Sequence, residues 1–114
     1  MIYLALFWKL LVGHALMDFS LQTEWMAKFK NWHNVSPAPP GQVQQIIWPY
    51  VLSAHALLHG GAVWLITGNV WAGMAESVLH WAIDYAKCSN WTGIHTDQAL
   101  HVACKIFWVY LLCL

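Results

Sequence analysis

Long apolar runs alternate with short polar breaks along the chain, a pattern that predicts four helices of membrane-spanning length. The runs cover about residues 2–19, 46–67, 70–87 and 97–114. Each is roughly 17–22 residues, enough to cross a bilayer core at about 1.5 Å per residue, with the first and last at the short end. The stretch "NVSPAPPGQ" precedes the second run, and Gly68-Asn69 breaks the second from the third. Residues 21–32 follow another pattern. Leu21, Trp25, Phe29 and Trp32 recur at i, i+4, i+8 and i+11, while Thr23, Lys28, Lys30 and Asn31 fall largely elsewhere on the wheel. That predicts a short amphipathic helix lying among lipid headgroups. The expected fold is all-α: a four-helix transmembrane bundle forming one domain over residues 1–114, with an interfacial helix after the first span.

Composition sharpens this picture. The 114 residues are 60% hydrophobic with nine Trp, and 9% are charged, where a soluble domain carries about 25%. No Asp, Glu, Lys or Arg lies between Lys30 and Glu76, a gap too long for a soluble surface. Five Lys balance five acidic residues, so no basic face argues for nucleic acid. Cys88, Cys104 and Cys113 form no CxxC and read as apolar filler. The N-terminus lacks a basic segment and a small-residue cleavage site, and is read as a retained helix rather than a removed signal. Trp32, Trp48 and Trp91 suit an aromatic belt. Lys28, Lys30 and Lys87 fall at one side of a four-span hairpin arrangement, which the positive-inside rule makes cytoplasmic, with both termini outside.

The polar residues within the spans recur in pairs: His14/Asp18, His55/His59, His80/Asp84 and Asp97/His101. Each pair is four residues apart and shares one helix face. Counted from the proposed cytoplasmic ends, all eight lie within roughly 10–14 Å of that side. An Asp at the centre of a membrane helix costs about 2.5–3.5 kcal/mol, and a divalent metal would offset that cost. Neutral imidazole and carboxylate are its ordinary ligands, and helix bundles build such sites from inward-facing side chains. The candidate metal ligands are therefore His14, Asp18, His55, His59, His80, Asp84, Asp97 and His101. A hydrogen-bonded pair is the bland reading of any one HxxxD, but four pairs at one depth favour a shared site. Haem has no use for three aspartates.

Zinc is the first expectation, with manganese or iron as alternatives. Such an ion would lower the pKa of a bound water towards about 7 for hydrolysis. Asp18 or Asp84 could bridge two ions, and Asp97 could ligate or act as general base. Glu76 and Lys105 continue two of the faces a turn further in and are expected to form an ion pair beneath the site. Gln22, Gln98 and Lys87 are expected to orient ligands or meet substrate. Lys9 reads as a snorkelling side chain, His33 and His95 as ordinary loop residues, and Gly60 and Gly61 as sites of close helix contact.

Together "HALMDFSLQTEWMAKFK", "HALLH", "HWAIDYAK" and "DQALH" resemble a family of small integral membrane proteins of bacteria and their phages, known only as a domain of unknown function. The resemblance covers nearly the whole chain and implies the bacterial inner membrane. Met17 departs from it, standing where a glycine is expected before Asp-Phe, off the ligand face. A looser likeness, of pattern only, is to inner-membrane metal-dependent hydrolases and to the zinc phospholipase C and P1 nuclease group. It implies zinc and phosphoester hydrolysis by analogy. The leading expectation is thus a membrane-embedded, metal-dependent hydrolase, with a phospholipid or isoprenoid phosphate entering from the cytoplasmic headgroup layer. The alternatives are a non-enzymatic membrane protein stapled by metal or polar contacts, a di-iron oxidase, and a transporter. The last ranks lowest because the outer halves of the spans hold little ionisable beyond Lys9, Glu76 and Lys105. A homo-oligomer is compatible with all of them.

Overall fold

A computed structural model describes residues 2–35 and 38–113. These residues are helical and contain no strand. Helix α1 (Ile2–Ala15) runs into a π-helical turn, Leu16–Ser20. Short α2 (Glu24–Phe29) follows, then α3 (Trp48–Thr67), α4 (Val70–Cys88) and α5 (Ile94–Cys113). Ser36, Pro37 and the Leu114 end of the fourth expected span lie outside the described residues.

Local chemistry fixes the boundaries. Thr23 caps α2 by accepting a 3.1 Å bond from the Met26 N–H. Pro49 sits in the first turn of α3, where its missing N–H costs nothing. Gly68, at φ 71°, ends α3 in the left-handed region, and the Asn69 side chain caps α4 through the Ala72 N–H at 3.0 Å. The break Gly68-Asn69 thereby folds α3 and α4 into a tight antiparallel hairpin. Helix α1 packs on α3 and α5, and α4 packs on α5, closing a four-membered ring of helices.

Two helical stretches, Ile2–Ser20 and Trp48–Thr67, are long and apolar enough to cross a membrane. Helices α4 and α5 have the length, at 19 and 20 residues, but are not among the stretches apolar enough to qualify. Helix α4 carries Glu76, Asp84 and Lys87, and α5 carries Asp97 and Lys105.

The interior is inverted relative to a soluble bundle. Among the described residues, eleven polar or charged side chains are buried against nine hydrophobic ones. Outward, Trp8, Leu65, Trp71, Val78 and Tyr110 are exposed. A compact apolar cluster of Leu10, Val63, Ala72 and Trp108, one residue from each long helix, closes one end. The polar interior begins a turn away and continues along each helix at steps of about four residues.

The interfacial segment differs from the expected helix over 21–32. Only six residues, Glu24–Phe29, are helical. Leu21 and Trp25 are exposed as a lipid-facing edge would be, but Lys30, expected on the polar outer face, is buried. Its partner is Asp84, at 2.7 Å: a buried carboxylate left without a cation would be strongly destabilising, and Lys30 supplies one. The two glycines expected at a helix contact also separate. A Cβ at Gly60 would lie 2.5 Å from the Gly73 carbonyl oxygen, whereas a Cβ at Gly61 meets nothing within 4 Å. Gly60→Ala is expected to destabilise the protein by about 1–3 kcal/mol through overpacking. Gly61→Ala should change stability by less than about 0.5 kcal/mol. Thermal unfolding of both variants in the same detergent checks the contrast.

Candidate metal centre

The site is built from one stripe of each long helix. Helix α1 and its π turn bring His14 and Asp18, α3 brings His55 and His59, α4 brings His80 and Asp84, and α5 brings Asp97 and His101. All eight side chains are buried.

Four of them converge most closely. One ligand atom from each of Asp18, His55, His59 and His80 lies within 4.8 Å of the others, a set that could hold a metal ion. Asp18 Oδ1 is 3.3 Å from His55 Nε2 and 3.5 Å from His59 Nε2. The Nε2 atoms of His55, His59 and His80 are buried and have no hydrogen-bond partner. Leaving a buried polar atom unpaired costs about 1–3 kcal/mol. Three such atoms, two of them facing Asp18 and the third 3.9 Å from Asp84 Oδ2, fit a cation better than they fit an empty polar network. The imidazoles also pack on one another, with His59 and His80 stacked at 3.6 Å and His80 and His101 at 4.3 Å.

Asp18 owes its place to the π turn. The Leu21 N–H reaches back five residues to the Leu16 carbonyl at 2.7 Å, a single-turn geometry frequent at functional sites. Gln22, expected to orient a ligand side chain, instead donates to the Asp18 backbone carbonyl at 2.9 Å and so braces this turn.

The other predicted residues surround this cluster. Gln98 joins three of them: its Oε1 accepts from His14 Nε2 at 3.0 Å, and its Nε2 donates to Asp18 Oδ2 at 2.8 Å and Asp97 Oδ2 at 3.2 Å. Asp97 Oδ1 is 3.4 Å from His101 Nε2. Asp84 Oδ2 is 3.5 Å from His55 Nε2 and 3.9 Å from His80 Nε2, but its short contact is to Lys30 Nζ at 2.7 Å. Lys87 Nζ stands 3.6 Å from Asp84 Oδ1 and 3.8 Å from Asp97 Oδ2. Further in, Lys105 donates to Glu76 Oε1, and Trp108 Nε1 donates to Glu76 Oε2 at 2.6 Å. His33 bonds Asn31 and stacks on Trp32, His95 is exposed, and both stay apart from the cluster.

Sequence reasoning missed Lys30, the closest cation to the site carboxylates. Its position in an amphipathic pattern pointed outward. The available signal was charge balance: three aspartates on the ligand stripes face only one lysine, Lys87, at the same level.

A family model matches residues 6–113 and is described as "Protein of unknown function (DUF3307)". The chain belongs to the DUF3307 family. No curated protein and no solved structure matches it. The matched region of this DUF3307 protein includes all four ligand stripes, α2 and Lys30.

Proposed function

We propose that this protein is an integral membrane, metal-dependent hydrolase of phosphoesters, acting at the cytoplasmic headgroup level of the bacterial inner membrane. The observation that carries the proposal is the buried Asp18–His55–His59–His80 set with three unpartnered imidazole nitrogens. Four membrane spans are supported by the inverted interior and the apolar outer surface. Lys28 is exposed at the end where Lys30 and Lys87 pair with Asp84. That end is read as cytoplasmic.

Zinc suits three imidazoles and a carboxylate, and manganese or iron are the alternatives. When bound, such an ion supplies Lewis acidity and a water activated near neutral pH. The protein groups do the rest. Asp18, His55, His59 and His80 would hold the ion. Asp97, with Oδ1 free of a hydrogen bond 3.4 Å from His101 Nε2, is placed to take a proton, and Lys30 fixes Asp84 beside His55. Lys87 is the most open charged side chain of the group, a quarter exposed, and can meet an anionic substrate. Three aspartates against Lys30 and Lys87 leave one net negative charge when the imidazoles are neutral. A divalent ion reverses that sign and favours an anion such as a lipid or isoprenoid phosphate.

Protein purified in chelator-free detergent buffer, assayed for phosphate release from lipid phosphates, tests the reading. Hydrolysis lost on chelation and restored by zinc supports it. A fully folded, metal-loaded protein that cleaves no lipid phosphate under any metal overturns it.

A second reading, a structural metal in a non-enzymatic membrane protein, is favoured by one observation: four protein donors gather at one point, the number that a closed structural zinc site takes. Cobalt substitution separates the two. A spectrum that shifts when azide is added reveals an open coordination position and supports catalysis, and an inert tetrahedral spectrum supports a staple.

A further inference from the structure

We propose that a second divalent cation binds beside the first, among His14, Asp18, Asp97 and His101, at the point that the Gln98 amide occupies. The proposal rests on the reading of the first cluster as a metal site, and it assigns Asp18 as the bridge.

Asp18 presents its two oxygens to two different groups. Oδ1 faces His55 and His59, while Oδ2 lies 3.7 Å from His14 Nε2 and accepts from Gln98. A carboxylate shared in this way is the usual bridge of two-metal sites, whose ions stand about 3.5–4 Å apart. On the Oδ2 side, one amide nitrogen serves two carboxylates, Asp18 and Asp97. A cation would do the same with greater charge. Asp97 Oδ1 is buried and unpartnered, 3.4 Å from His101 Nε2. The His14 and His101 rings are 5.1 Å apart, and His14 Nε2 meets the Gln98 amide oxygen at 3.0 Å. Two imidazoles and two carboxylates are donors of the kind that zinc takes, and that manganese takes with added water or anion ligands. Gln98 has a flexible side chain and is only partly buried, so it can yield the position.

The charge balance shapes the ligand. With both ions the group of three aspartates and two lysines carries a net positive charge of about three. The second ion therefore binds together with a multiply charged anion, and inorganic phosphate is expected to raise its occupancy.

The full chain, stripped by chelator and held in detergent, is titrated with manganese in the absence and presence of inorganic phosphate. Bound metal is read by elemental analysis and by electron paramagnetic resonance. The expected result is about two equivalents with phosphate present and a spin-coupled spectrum. Asp97→Asn should lose one equivalent and the coupling, while keeping the other. Should Asp97→Asn not fold, His101→Gln serves with the same expectation. Gln98→Ala should retain both ions, since it removes a competitor and not a ligand. One equivalent in the wild-type protein overturns the second ion and leaves the first, and coupling that survives Asp97→Asn overturns its placement at Asp97. No bound metal overturns both readings.

Discussion

His59→Ala is expected to lower the affinity for zinc or manganese by more than about 100-fold. Changes to groups that merely support a ligand already cost about 10–100-fold in metal affinity, and His59 belongs to the closest four-residue set. Its Nε2 faces Asp18 Oδ1 at 3.5 Å and has no other partner, so the atom has no role besides ligation to replace. The ring also stacks on His80, which means that truncation loosens a second ligand at the same time. Competition dialysis against a chelator of known affinity measures the effect. His95→Ala, at an exposed position away from the cluster, is the control and should leave affinity unchanged. Wild-type affinity in the His59 variant would remove the metal centre from consideration.

Lys105→Met is expected to destabilise the fold by about 3–5 kcal/mol, because it strands the buried Glu76 carboxylate without its cation. Both side chains are almost completely buried. Trp108 Nε1 contributes a second contact to Glu76, but a neutral donor does not compensate a buried charge. The double variant Lys105→Met with Glu76→Gln should recover most of the loss. It removes both charges and leaves an amide oxygen to accept from Trp108. Urea or thermal unfolding of the three proteins in one detergent gives the comparison. A single variant as stable as the wild type would mean that Glu76 is already neutral.

The legible part of this protein was what a helical period of about four can carry. Pairs at that spacing name the residues of a common face without knowledge of the partner helices. His55 and His59 on α3 and His80 on α4 could therefore be assigned to the interior from sequence, and they lie there. The Gly68-Asn69 hairpin was equally local. A left-handed glycine followed by a capping asparagine ends one helix and starts the next wherever it occurs.

The limits also have local causes. Periodicity assumes a regular α-helix, and the π turn at Leu16–Ser20 is not one. The amphipathic pattern over 21–32 assigned Lys30 to the outside. A lysine at the C-cap of a six-residue helix is not bound to that face, and its long stem reaches Asp84. Gly60 and Gly61 look alike in sequence, but only one of them faces the α4 backbone.

The sequence by itself determined which polar side chains of the four long helices point inward, because helical spacing and the scarcity of charge leave few alternatives. The tertiary structure alone decided how they divide: Asp18 with three imidazoles, Asp97 with His101 and Gln98, Asp84 with Lys30 and Lys87. Spacing along a helix records the face and depth of a residue. Which groups meet across the bundle depends on the rotation and closeness of neighbouring helices, here fixed by the glycine contact of α3 with α4 and by the π turn of the first helix.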